Sequence, residues 1–166
     1  IAVCSYERIE AKDVARELKT FTGAGRRFTE TVIGDTIVID DYAHHPTEIE
    51  ATLTAAKNYP HNEVWCVFQP HTYTRTKSLL HEFAEALIHA DHVVIADIYA
   101  AREADPGDIH SRDLQAEIQK LGTKAYYFPS FEEIEDFLSE NCVHGDLVIT
   151  MGAGDIVNVG EDLLRK

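Results

Sequence analysis

Residues 63–98 read EVWCVFQPHTYTRTKSLLHEFAEALIHADHVVIADI. Two runs within it, EVWCVF and HVVIADI, are of strand length, nearly continuous in apolar residues, and rich in β-branched or aromatic side chains. Between them Leu80, Phe83, Ala84 and Leu87 recur at helical spacing. Strand, helix and strand in that order predict a parallel βαβ unit, because strands covered on both faces lose the alternation of polar and apolar residues.

The same alternation extends outward. Leu114, Ile118 and Leu121, and then Ile134, Phe137 and Leu138, mark two further helices interleaved with the apolar runs KAYYF (124–128) and DLVITM (146–151). On the other side a helix built on Ile49, Leu53 and Ala56 follows RFTETVI (27–33) and TIVIDD (36–41), which read as a hairpin turning at Gly34 and Asp35. The expected caps are Pro46 in a first helical turn, Ser111 at the start of the third helix, a box formed by Ser130 with Glu133, and Gly122 past a helix end. The fold class is therefore α/β: a Rossmann-like, mostly parallel sheet with helices on both faces, preceded by a β-hairpin.

EAKDVARELKTF (10–21) predicts an amphipathic helix on Val14, Leu18 and Phe21, behind an apolar opening, IAVCSY, that carries no helix-start signal. This divides the chain into residues 1–22, the end of a preceding domain, and residues 23–166, a domain with its own core.

Twenty-nine acidic against 15 Lys and Arg residues give a formal charge of −14, so the surface repels phosphate backbones and nucleic acid is not an expected partner. The apolar runs fall short of the roughly 20 residues a membrane span requires, which predicts a soluble, cytoplasmic protein with no membrane partner. Cys4, Cys66 and Cys142 are odd in number and widely spaced, fitting neither a disulfide framework nor a zinc motif; they read as reduced, mostly buried thiols.

Ligands of open parallel sheets bind at the carboxyl ends of the strands, near a topological switch point. Four polar clusters fall at such ends: DDYAHH (40–45), QPHTYTR (69–75), YAAREADPGDIHS (99–111) and GAGD (152–155). Asp41, Tyr42 and His44 can present a carboxylate, a phenol and an imidazole to a cleft shared by His71 and Arg75. A guanidinium at Arg75 suits bidentate capture of a carboxylate or phosphate, and His71 can donate to the same anion. Metal ligation by His44 and His45 is disfavoured, since adjacent residues in extended chain point opposite ways and no helical HxxxH accompanies them. GAG lacks the third glycine of GxGxxG and reads as a tight strand-to-helix turn; no GxxxxGK[ST] phosphate loop occurs. On these residues alone a catalytic domain and a stand-alone α/β ligand-binding module both remain open.

GAGRRF (23–28), DDYAHHPTEI (40–49), FQPHTYTRT (68–76) and GAGDI (152–156) stand in an order and spacing that resemble the C-terminal domain of the Mur ligases, over essentially the whole chain. The resemblance implies a three-domain, ATP-dependent carboxylate–amine ligase. An N-terminal domain would hold the UDP-sugar, a central ATPase domain would carry the phosphate loop, and this domain would close over both, packing against them and inactive alone. Tyr42 and Glu48 favour the branch that adds L-alanine to UDP-N-acetylmuramate over the branch that attaches a recycled tripeptide. The implied cofactors are ATP and Mg2+, bound mainly by the central domain. By motif position Arg27 is implied to reach the ATP phosphates and Asp41 to meet the nucleotide at its ribose. Tyr42, His44, His71 and Arg75 are implied to receive L-alanine, with Arg75 on its carboxylate. Many relatives carry arginine where this chain has Thr72, so no contact is carried over to that position.

Overall fold

The computed structural model describes residues 6–7, 9–19, 25–33 and 36–165. Helix α1, Ala11–Leu18, precedes a hairpin in which β1 (Thr29–Ile33) pairs antiparallel with β2 (Thr36–Asp41), Glu30 lying opposite Ile39. The turn expected at Gly34 and Asp35, the opening IAVC segment, Cys4 and Phe21 lie outside the described residues. After β2 come α2 (Pro46–Ala56), β3 (Val64–Phe68), α3 (Tyr73–Ser78), α4 (Leu80–Leu87) and β4 (His92–Ile95). The chain continues through α5 (Ser111–Lys120), β5 (Lys124–Tyr127), α6 (Phe131–Asn141), β6 (Leu147–Met151) and α7 (Val157–Leu163).

All six strands join one sheet in the order β1-β2-β6-β3-β4-β5. Every pairing except β1 with β2 is parallel, as expected for strands linked through helices. The hairpin does more than precede the sheet: β2 is the parallel neighbour of β6, with Val38 beside Val148 and Asp41 beside Met151. β6 in turn lies against β3, pairing Cys66 with Ile149 and Phe68 with Met151.

The period of two along β3 sorts its side chains between two cores. Val64, Cys66 and Phe68 face Ile49 and Leu53 of α2, Phe83 and Leu87 of α4, and Leu114 and Ile118 of α5. Trp65 and Val67 face Ile134 and Leu138 of α6 and Val159 of α7. Both faces are covered, so all five β3 residues are buried, each large apolar side chain contributing about 1.5–3 kcal/mol. Because β3 is followed by a helix on the first face and β6 by a helix on the second, the crevice between them opens at their carboxyl ends.

Pro46, Gly122 and the cap at Ser130 stand where expected, but the box of Ser130 with Glu133 is only half made, since the Glu133 carboxylate takes the Ser130 hydroxyl and not its amide. Pro46 occupies the first turn of α2, and Gly122 follows α5 with φ +96°, where a side chain would be strained. Ser130 caps α6 by accepting from the Glu133 amide at 3.2 Å, while its hydroxyl donates to the Glu133 carboxylate at 3.0 Å. Ser130→Ala should therefore cost about 1 kcal/mol of stability, read as a lowered urea midpoint with unchanged slope; an unaltered midpoint would remove the cap from the account.

Ser111 is a correction. The residue that caps α5 is His110: its Nδ1 accepts from the Arg112 amide at 3.1 Å, and Asp113 returns the contact by accepting from the His110 amide at 2.8 Å. Ser111 is 1% exposed and its hydroxyl donates to the Ala96 carbonyl at 2.7 Å, tying α5 to the end of β4. Leu121, expected on the apolar face of α5, lies past its last turn and is exposed. Cys66 is buried and Cys142 half-buried, both as free thiols pushed up to about 12 by burial, with Asp146 and Glu63 adding to the effect at Cys142. Among the described residues no helix is long and apolar enough to cross a membrane.

Candidate functional site at the switch point

Asp41 ends β2 and is buried, and its carboxylate organises the backbone around it. One oxygen accepts from the Phe28 amide at 2.7 Å and the other from the Ala43 amide at 2.7 Å. This fastens the RRF segment to the strand end, although each oxygen keeps a second lone pair for a further donor. Arg27 is exposed beside it, with its guanidinium 5.6 Å from the centre of the Tyr42 ring. Arg26 lies over the same ring at 5.2 Å, so the phenol carries two guanidinium groups.

His44 comes next and is held from two directions. Its Nδ1 lies 2.9 Å from the Tyr42 carbonyl, an acceptor only, so Nδ1 carries a proton; in the neutral ring Nε2 is then left as an acceptor. Its backbone amide donates to Glu48 at 3.0 Å, one turn into α2. Burial works against the Glu48 carboxylate, yet the amide and ring of His44 and the charge of Arg27 outweigh it and hold the group below the usual carboxylate range. His45 points elsewhere: exposed, it caps α2 by accepting from the Thr47 amide at 3.4 Å. The two adjacent histidines thus have different duties. Among the described residues no group of three or more His, Cys, Asp or Glu side chains is placed to hold a metal ion.

From β3 the chain brings His71 to within 5.9 Å of the His44 ring and stacks it on Tyr99 at 5.6 Å. Thr72 adopts φ +68°, an outlier for a β-branched residue, fixed by its amide donating to the Tyr99 carbonyl at 2.9 Å and its own carbonyl accepting from Thr76 at 2.7 Å. That bend turns the chain into α3, a short helix that the apolar spacing around Leu80 did not foretell. Arg75 stands on α3, and Glu103 steadies its start by accepting from the Thr74 amide at 2.9 Å and from the Thr74 hydroxyl. The long loop after β4 is further tied to α3 by Lys77 and Asp108 at 2.5 Å.

Two nitrogens here are buried with no hydrogen-bond partner among the described residues: Nδ1 of His71 and Nη1 of Arg75. A buried guanidinium nitrogen calls for an acceptor, and a carboxylate or phosphate oxygen supplies the strongest one. The His71 imidazole is held below its ordinary value first by burial, then by the positive charges of Arg75 and His44, against a weaker pull from Glu103. In the unfolded chain this ring takes its proton near 6.5, whereas the folded ring resists until lower pH. Its contribution to stability is thus present above 6.5 and is lost as pH falls through the folded value. The His71 ring resonances should titrate below 6.5, and His71→Gln should flatten the loss of stability on acidification; a midpoint at or above 6.5 would overturn the assignment.

The six residues singled out from the sequence all fall at the carboxyl ends of β2 and β3. The structure gathers Tyr42, His44 and His71 into one ring cluster, gives Asp41 to the backbone, and leaves Arg27 on the exposed flank. It adds Arg26, Gln69 and Tyr99, whose side chains meet the glycine turn after β6. Residue type alone did not separate Arg26 from Arg27. The position of Gln69 beside the glycine turn depends on β6 lying against β3.

A switch-point crevice edged by an exposed arginine, a ring cluster and a half-buried arginine marks an α/β domain built to meet an anionic ligand, and the comparisons with known proteins give its family. The family model of the Mur ligase, glutamate ligase domain, matches residues 26–154, and the chain belongs to that family. More particularly, it is 58% identical over 154 residues to the UDP-N-acetylmuramate–L-alanine ligase of Lachnoclostridium phytofermentans, covering 92% of this chain and 33% of that protein. With the enzyme of the same name from Agathobacter rectalis it shares 54% identity, over 100% of this chain and 36% of the relative. The crystal structure of a UDP-N-acetylmuramate-alanine ligase from Thermotoga maritima superposes with a TM-score of 0.78 at 28% identity, covering 99% of this chain and 35% of that one. The chain spans about a third of the length of the curated relatives it matches.

Proposed function

We propose that residues 23–166 form the closing C-terminal domain of a cytoplasmic, ATP-dependent ligase that joins L-alanine to UDP-N-acetylmuramate, with residues 1–22 the end of the central domain before it. In this reading the UDP-sugar carboxylate is activated by phosphoryl transfer from ATP, and the amine of L-alanine then displaces phosphate. The chain's own residues bind and orient. Arg27, exposed at the crevice edge, meets the ATP phosphates; Asp41 keeps that segment in place and offers its remaining lone pairs toward the ribose. Arg75 and His71 take the alanine carboxylate, while the free Nε2 of His44, beside Tyr42, faces the amine. Mg2+ would neutralise charge on the transferring phosphoryl group. In this reading it is bound mainly by the central domain.

The observation that carries this reading is the pair of buried, unpartnered nitrogens, Nη1 of Arg75 on α3 and Nδ1 of His71, which call for an anionic acceptor such as a carboxylate. The names of the relatives support L-alanine as the amine. The test is ADP release by the full-length parent protein given UDP-N-acetylmuramate with L-alanine, with the recycled tripeptide, or with neither. Release dependent on L-alanine is the expected result. Preference for the tripeptide would move the protein to the recycling branch, and no stimulation by either would leave a binding module.

A further inference from the structure

The site above draws on β2 and β3, yet these strands are not neighbours; β6 lies between them, and the turn that follows it, Gly152 to Asp155, separates the two halves. On the β2 side Arg26 spends its whole guanidinium on that turn and its surroundings. Nε donates to Asp40 at 2.9 Å, Nη2 to the Gly152 carbonyl at 2.9 Å and Nη1 to the Gly154 carbonyl at 3.0 Å. Asp40 also accepts from Thr150 at 3.0 Å, and the Arg26 carbonyl accepts from the Tyr42 amide at 2.8 Å. Arg26 holds φ +56° to do this, a strained value for a side-chain-bearing residue.

On the β3 side Gln69 presses against the same turn. Its Nε2 donates to Asp155 at 2.8 Å, and a methyl group added at Gly154 would lie 2.2 Å from its Oε1 and 2.8 Å from the Tyr99 ring. One added at Gly152 would lie 2.9 Å from the Gln69 carbonyl oxygen. The glycines are therefore small because Gln69 and Tyr99 close on them from the β3 side, while Arg26 holds their carbonyls from the β2 side, and Tyr99 is the ring on which His71 stacks.

We infer that the Gly152–Asp155 turn is a positioning element that fixes the nucleotide half-site and the amino-acid half-site relative to one another, with Arg26 and Gln69 as its positioning residues. The inference rests on the functional reading above for the names of the two ligands, though the mechanical link between the half-sites does not. A residue that served one half-site alone would alter one substrate's use. A linking residue alters both, because misplacing reacting groups by a fraction of an ångström degrades each contact.

The test uses the full-length parent protein. Arg26→Ala and Gly154→Ala should each raise the KM for ATP and for L-alanine together, by about tenfold or more, at a temperature where circular dichroism shows them folded. Arg26→Lys keeps the charge but cannot bridge three acceptors, and should not restore either value. Arg26→Ala should also speed amide hydrogen exchange in peptides covering Gln69–Thr76 as well as Arg27–Ala43. A change in one KM alone, full rescue by lysine, or a loss of stability with unaltered kinetics would overturn the inference. Should the wild-type protein release no ADP with L-alanine, the functional reading fails, and exchange alone decides the link: acceleration confined to Arg27–Ala43 would refute it.

Discussion

Arg27→Ala in the full-length protein should lower turnover by about 10²–10³-fold while leaving the KM for L-alanine nearly unchanged, the size of loss seen when one preorganised donor is removed from developing transition-state charge. Arg27 is exposed at the crevice edge, against Tyr42, while Arg26 beside it is committed to the glycine turn. A group so placed adds little to stability, because its guanidinium lies in water in the isolated domain. On the proposed function its value should appear once another domain brings phosphate to it. The measurement is single-turnover ADP formation with both substrates saturating; a wild-type rate would remove Arg27 from the phosphate side.

Arg75→Ala should act on the other substrate. Removing a charge-assisted contact to a carboxylate costs roughly 1.5–3 kcal/mol, equivalent to about a 10- to 150-fold rise in the KM for L-alanine. The arginine comes from α3, whose start is braced by Glu103, and its Nη1 is already withdrawn from water without a partner, so the desolvation is met before the ligand arrives. Thermal stability should stay level or rise in this variant, since a buried unpartnered donor disappears with the side chain. An unchanged KM and turnover for alanine would sink the assignment.

The strands were legible because burial on both faces writes itself into the residues as continuous apolar runs, and Val64–Phe68 is the plainest example. Their order was not. Nothing in LVITM says that it lies between β2 and β3, since that is decided by which helices cover which face. The polar clusters at the strand ends were likewise visible, whereas the work of each member was not. Asp41 reads as a ligand-facing acid and turns out to hold two backbone amides. Ser111 has the chemistry of a cap, but burial gave its hydroxyl to Ala96 and left the cap to His110. The positive φ of Thr72 is imposed by its Tyr99 contact, a partner distant in sequence, so no local preference announces it.

The central place of β6 also bears on how the chain reaches this shape. Asp40 and Thr150, joined side by side in the sheet, are 110 residues apart in sequence. Until residues 147–151 leave the ribosome, β2 and β3 have no strand to share, and each exposes an apolar edge. Residues 36–68 therefore wait, half-assembled, for a short segment made well after them, and bringing Asp40 to Thr150 closes a loop of 110 residues, a long-range pairing of the kind that slows folding. Synthesis that stalls before Leu147 yields a split sheet with two sticky borders, the kind of species that chaperones attend and that associates with its own copies.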